Sequence, residues 1–285
     1  VELDRPYVVQ NLFAAPEFST RLYEWCYPII GCASYRGYYD EQRLFAYAED
    51  LKSEGLEVHI GRVSAYSTLG WFDDPVLSSF VNWPDYRLAG LLFHELTHQQ
   101  IYIDDDTTFN ESLATAVQQV GTELWLKSQN RSEELAKLTR WLSYRGEVLG
   151  LIESVRKELT NIYSSDLVEA EKRQRKMQVF ARAKDAHVSI ASTHQVSGGF
   201  TRWYADDLNN AKIGSVAAYN SEVHAYINMI EAHGFDFAAF FRYVDKLGAL
   251  DKSARDDCLA AWKQQGDLPA QVCPGLRLAN AIVSG

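Results

Sequence analysis

The chain has 285 residues, 47% hydrophobic and 13% aromatic, which is ample for a sizeable core in one large domain or two closely packed parts. Its net charge of −10 is spread along the chain without a basic stripe, which excludes nucleic acid as the main partner. No apolar run reaches the roughly 18 residues needed to cross a bilayer.

The chain opens Val1-Glu2-Leu3-Asp4, with neither a Met nor a signal peptide, as expected of a trimmed or processed chain. Tyr7-Val8-Val9 and the stretch from Ala33 to Tyr39 are rich in β-formers. Asp40 to Glu54 reads as a helix with Leu44, Phe45, Ala48 and Leu51 on one face, and Leu56 to Ser67 as a strand. Thr68 to Pro75 is turn-like, punctuated by Gly70 and Pro75. After Pro84 the character becomes helical. One helix is expected from Asp85 to about Tyr102, a break at Asp104-Asp105-Asp106, and a second helix from Phe109 to Lys127.

From Ser132 to Tyr163 an apolar 3-4 spacing runs through Trp141, Val148, Ile152, Val155, Leu159 and Ile162. A turn at Ser164-Ser165-Asp166 and another long helix to about Val188 make a helical hairpin. Ser197-Gly198-Gly199 is a joint, and helices follow near 215–233, 235–248 and 253–265. This divides the chain into residues 1–128, carrying a sheet and a helix pair, and a helical part at 129–285.

Four cysteines, Cys26, Cys32, Cys258 and Cys273, allow three pairings. Local pairing is the economical one and needs an oxidising compartment; four unpaired thiols in a cytosolic protein are the alternative. Neither close pair has the C-x-x-C spacing of a metal site.

The chemistry lies in His94-Glu95-Leu96-Thr97-His98. Helix residues four apart share a face, so both imidazoles can reach one ion. Glu95 sits about 100° round the helix, beside the ion rather than on it, where it can take a proton from water. A catalytic zinc wants a third protein ligand, and the next helix opens with Phe109-Asn110-Glu111. Twelve residues separate His98 from Glu111, and the acidic break lets the chain reverse so that Glu111 faces back. The competing reading of Glu111 is a carboxylate favoured at a helix start by the dipole. Asp73 and Asp74 are candidates for a substrate amine, against a simple turn role. His59, His187, His194, His224 and His233 read as structural or surface residues, with His194 and His224 the first to inspect were a ligand missing.

His94-Glu95-Leu96-Thr97-His98-Gln99 followed by Asn110-Glu111 and Ala114 resembles the gluzincin metallopeptidases, which include the large zinc aminopeptidases. More closely, the chain resembles a bacterial family of predicted aminopeptidases, many with lipoprotein-type signal sequences. The matching segments are Arg5 to Val9, Trp25-Cys26 through Gly31-Cys32, Tyr35 to Tyr38, Ala65 to Pro75, the His94 helix, Phe109 to Glu111, and Asn209-Asn210-Ala211-Lys212. They run over most of the chain, and the first falls near residue 1, so the resemblance places the family's N-terminal part outside this chain.

The resemblance implies an α+β, zincin-like fold with a small N-terminal mixed sheet, a largely helical C-terminal half, and a cleft between them. It implies zinc held by His94, His98 and Glu111, Glu95 as base, and peptide hydrolysis at free amino termini. In gluzincin aminopeptidases a Tyr downstream of the third ligand stabilises the oxyanion, and Tyr219 is the candidate here. It also implies a bacterial periplasmic or outer-membrane-anchored protein, touching the membrane only through an N-terminal lipid anchor that this chain does not include, and both local disulfides fit that setting. The rival reading is a zincin-like peptide-binding or structural lipoprotein that keeps zinc without useful hydrolysis. An intact Glu95 counts against it.

Overall fold

The computed structural model describes residues 2, 5, 7–27, 31–63, 77, 78, 80–264 and 273, with the backbone alone for residues 31, 218 and 219. The described chain is α+β: short strands near the N-terminus, then mainly helix. It forms two compact units. The first takes the described residues up to 63, those between 77 and 82, and 126–218; the second takes 83–125 and the described residues from 219 on.

In the first unit, β1 (Val9–Pro16) is the central strand of a three-stranded sheet. It lies between β4 (Arg36–Tyr38) and β5 (Leu56–Val63), and both pairings are antiparallel. The sheet was expected to be mixed. The α1 helix (Glu41–Ser53) leads from β4 to β5, which flank β1 on opposite sides, so no parallel neighbours arise among the described strands. Every β1 residue from Val9 to Ala15 is buried, including Gln10 and Asn11. A strand covered on both faces loses the polar alternation that sequence reading relies on, which is why the expected strand at Tyr7-Val8-Val9 stopped where the real one starts.

A second antiparallel pair, β2 (Trp25–Tyr27) and β3 (Gly31–Ala33), sets Cys26 opposite Cys32, and the two form a disulfide. Helix α1 (Glu41–Ser53) starts where Asp40 accepts hydrogen bonds from the backbone amides of Gln42 and Arg43. Leu44, Ala48 and Leu51 bury its inner stripe with Leu12 and Ala14 of β1. Phe45 was expected on that face but is exposed, because it lies about 100° round the helix from Leu44.

The helical hairpin is α4 (Ser132–Tyr163) and α5 (Glu169–His194). Val148, Ile152, Val155, Leu159 and Ile162 are buried against Val179, Phe180 and Ala183, while Trp141 stays partly exposed. Two short elements complete the unit: α6 (Phe200–Ala205) and most of α7 (Asn210–Asn220). A buried polar seam ties hairpin, α7 and sheet. Lys176 bridges the Glu57 carboxylate and the Glu17 carbonyl, and Asn210 donates from its amide side chain to the Pro16 and Glu17 carbonyls. The Tyr163 hydroxyl and the Glu57 carboxylate satisfy the remaining groups of Asn210.

The second unit holds α2 (Asp85–Gln100), α3 (Thr107–Ser128) up to residue 125, α8 (Val223–Ala232), α9 (Phe237–Gly248) and α10 (Lys252–Lys263). Phe109, Leu113, Ala116 and Val117 of α3 share one core with Tyr226, Met229 and Ile230 of α8, Phe240 and Leu247 of α9, and Leu259 and Trp262 of α10. Cutting fully buried Leu113 back to Ala would cost about 2–5 kcal/mol. Cys258 of this core is disulfide-bonded to Cys273. The single helix expected over 215–233 is two, α7 and α8, separated at Ser221-Glu222, where the Glu222 amide donates to Ser112 Oγ of α3 at 3.3 Å.

Candidate metal centre

Helices α2 and α3 each offer one face to the other. On α2, Gly90, His94 and His98 are four apart; on α3, Glu111, Gln118 and Thr122 lie along one side. The glycines bring the two together. A Cβ on Gly90 would lie 2.8 Å from Thr122 Oγ1 and 3.4 Å from Gln118 Cγ, and one on Gly121 would lie 3.0 Å from the Phe93 ring. That close approach lets a short carboxylate on one helix reach the imidazoles of the other.

The turn between the helices fixes the register of α3. Asp106 Oδ1 accepts from the Phe109 amide at 3.1 Å, capping the helix. Its other oxygen takes a two-nitrogen contact from buried Arg255, the nearer at 2.6 Å. Asn110 pairs with both backbone groups of Ile103, accepting from its amide at 2.9 Å and donating to its carbonyl at 2.8 Å. Of the acidic break, Asp106 is thus the residue that organises the reversal.

Three side chains converge as a result. His94 Nε2 and His98 Nε2 are 3.2 Å apart, an arrangement that lets only one of them keep a proton there. Glu111 places its oxygens 3.5 Å from His94 Nε2 and 3.8 Å from His98 Nε2. Zinc bound at about 2.0–2.1 Å in a tetrahedron sets neighbouring ligand atoms about 3.3 Å apart. Two nitrogens and a carboxylate at these spacings therefore fit such an ion, and among the described residues this is the one His/Cys/Asp/Glu group of that kind. The cysteines Cys26, Cys32, Cys258 and Cys273 are all in disulfides and cannot supply thiolates. His98 is 7% exposed, His94 18% and Glu111 22%, so the cluster is sheltered but reachable.

Electrostatics separate the two imidazoles. Burial disfavours a charged His94, but the hydrogen bond and charge of Glu111, then the charge of Glu95, outweigh it and raise its pKa; the Gln118 side chain adds a smaller push the same way. Burial pushes His98 down to about 4, against a lift from Glu111, with His94 adding to the downward push. Glu95 is partly exposed on the next step of α2, outside the three-residue group yet close enough for its charge to be felt at His94.

A family model described as "Putative aminopeptidase" matches residues 1–259. The chain belongs to that family. No curated protein and no solved structure gives a match. In this member of that family the remaining candidates lie as follows. Asp73 and Asp74 fall outside the described residues, and so does the side chain of Tyr219, whose backbone belongs to α7. His59 stacks on Phe13, with burial and then Lys212 pushing it down to about 4. His187 pairs with the Tyr144 hydroxyl at 2.8 Å, His194 with Glu147 at 2.8 Å, and His233 with the Met229 carbonyl at 2.7 Å. His224 is exposed on α8.

Sequence reading missed Gly90, Gln118 and Tyr102. Tyr102 lies just past the end of α2 with its ring 6.3 Å from that of His98. Gly90 and Gln118 carried a findable signal: Gly90 is one helical turn before His94, and Gln118 is two turns after Glu111.

Proposed function

We propose that this chain is a zinc metallopeptidase acting on free amino termini, with His94, His98 and Glu111 holding the ion and Glu95 serving as general base. The observation that carries this reading is the convergence of two Nε2 atoms and one carboxylate at 3.2–3.8 Å, with a further glutamate one residue from the first histidine and outside the group. Zinc bound by these residues would supply Lewis acidity toward a peptide carbonyl and its attacking water. The Glu95 carboxylate takes the proton from that water and gives it to the leaving amine nitrogen, one group serving as base and then as acid. Glu111, with oxygens 3.5 and 3.8 Å from the two Nε2 atoms, would neutralise part of the ion's charge and help orient both imidazoles. Tyr219 is the proposed donor to the oxyanion, and Asp73 or Asp74 the proposed partner of the substrate ammonium.

A structural zinc site would be closed by a fourth protein ligand, whereas the group holds three side chains among the described residues, which favours the catalytic reading. The amino-terminal specificity leans on the family's description. The two disulfides support export to an oxidising compartment, and no described helix is long and apolar enough to cross a membrane.

Two measurements test the reading. Metal analysis of the purified protein should give one zinc per chain, and Glu111→Ala should lose it; unchanged zinc affinity in that variant would remove Glu111 as a ligand. Matched peptides with free and acetylated amino termini should differ in kcat/KM in favour of the free form. Equal rates on the two would make the protein an endopeptidase.

A further inference from the structure

We propose that Gln118 is the positioning residue for His94, its side-chain oxygen accepting the Nδ1 proton of that imidazole and so fixing which nitrogen is free for the metal. The inference rests on the zinc reading of the site and extends it to a residue outside the ligand set.

Gln118 is seven residues beyond Glu111, two turns along the same side of α3. The helices run so that Thr122 and Gln118 lie against Gly90, while Glu111 reaches His94 and His98. Along α2, Gln118 therefore lies on the N-terminal side of His94 and Glu111 toward His98 on its C-terminal side. The stem of Gln118 is set by packing, since its Cγ lies 3.4 Å from the point a Gly90 Cβ would occupy. Only the terminal amide is left to turn, and that torsion is broad and soft.

His94 Nε2 is committed to the cluster with His98 and Glu111. Its Nδ1 is buried and has no hydrogen-bond partner among the described residues. An imidazole that ligates through Nε2 must carry its proton on Nδ1, and a buried N–H needs an acceptor. Metal-binding histidines almost always give that proton to a neighbouring oxygen, which holds the ring and raises its basicity. The Gln118 stem rests at Gly90, one helical turn before His94, so its amide oxygen is the acceptor assigned to that Nδ1 proton.

The test compares Gln118→Met, which keeps the length and removes the acceptor, with Gln118→Glu, which keeps the acceptor. Zinc affinity is measured by competition with a chelator, thermal unfolding on the metal-free proteins, and the imidazole N–H region of the proton NMR spectrum on the zinc-loaded ones. The expected result is a 10- to 100-fold loss of zinc affinity in Gln118→Met, on the usual scale for such supporting residues. Gln118→Glu should stay within a few-fold of wild type, both metal-free proteins should melt near wild type, and a protected His94 Nδ1 proton should be lost only in Gln118→Met. Wild-type affinity in Gln118→Met overturns the inference, and so does equal weakening in both variants together with lowered melting, which would make Gln118 a packing residue. Wild-type protein that binds no zinc overturns the zinc reading itself, a result distinct from either.

Discussion

Replacing Gly90 with Ala puts a single methyl group at the seam on which the cluster depends. In an exposed helix the change would stabilise by about 1 kcal/mol, because Gly is the poorer helix former. Here the new Cβ would lie 2.8 Å from Thr122 Oγ1, inside van der Waals contact. Thr122 cannot step aside cheaply: its hydroxyl donates to the Gln118 carbonyl at 2.6 Å, and turning χ1 brings its methyl toward the same space. The helices must part by a few tenths of an ångström, and overpacking of this kind costs about 1–3 kcal/mol. The net expectation is a metal-free protein destabilised by about 1 kcal/mol. The same displacement carries His94 and His98 away from Glu111, whose oxygens already stand 3.5 and 3.8 Å from them. Metal sites tolerate errors of about 0.2 Å, so zinc affinity should fall about tenfold or more. Urea unfolding of the metal-free protein and chelator competition measure the two effects. Adding Thr122→Ala to Gly90→Ala removes the obstructing hydroxyl and methyl and should recover most of the affinity. A Gly90→Ala protein that gains the full helix-propensity increment and binds zinc normally would refute the close-approach argument.

Glu95→Gln should keep zinc and lose at least ~100-fold in kcat/KM, since the amide cannot accept the proton; near-normal turnover in peptide assays would remove Glu95 from the chemistry. His59, held at about 4 in the folded chain against 6.5 ordinarily, gives a stability that is fully present above pH 6.5. On acidification the unfolded chain takes up the proton first, so about 3 kcal/mol should be lost between pH 6.5 and 4, with little further change from this residue below. Urea unfolding against pH should show that slope in wild type and a shallower one in His59→Asn. Asp106→Asn leaves the Arg255 guanidinium buried without its counter-charge and should destabilise by about 3–5 kcal/mol, read as a lower denaturation midpoint with a normal m-value. Non-reducing peptide mapping should recover Cys26–Cys32 and Cys258–Cys273 as the two links; four free thiols in protein made in an oxidising compartment would contradict the fold.

The helices were the most legible part of the sequence. The stripe Val148, Ile152, Val155, Leu159 and Ile162 marks α4 because one face of a long helix is covered and the other is wet. The helix pair that carries His94, His98 and Glu111 was legible from the i, i+4 histidines and the acidic interruption, and the local cysteine pairing from economy of loop length. The sheet was harder. Strand β1 hides polar Gln10 and Asn11 among buried apolar residues, and β2 and β3 are three residues each, too short for any period. Phe45 shows the limit of hydrophobicity as a guide, since an aromatic side chain next to a buried stripe is itself exposed. Within the site, the ligand residue types announce themselves, but the contact that brings them together does not. It rests on the missing side chain of Gly90, and a glycine inside a helix reads first as a weakness.

Asn110 and Asp106 also act as a ruler. The amide of Asn110 grips both ends of one peptide residue, Ile103, while Asp106 caps the helix four positions before it. Adding or deleting one residue in the turn would leave every candidate ligand in the sequence yet break one grip or the other, and would swing Glu111 about 100° off its partners. The twelve-residue interval from His98 to Glu111 therefore has the same standing as the four-residue step between the histidines. A pattern that asks for that interval, with Asn ahead of the glutamate and an acid four places ahead of the Asn, reads a three-dimensional dimension directly from a one-dimensional string.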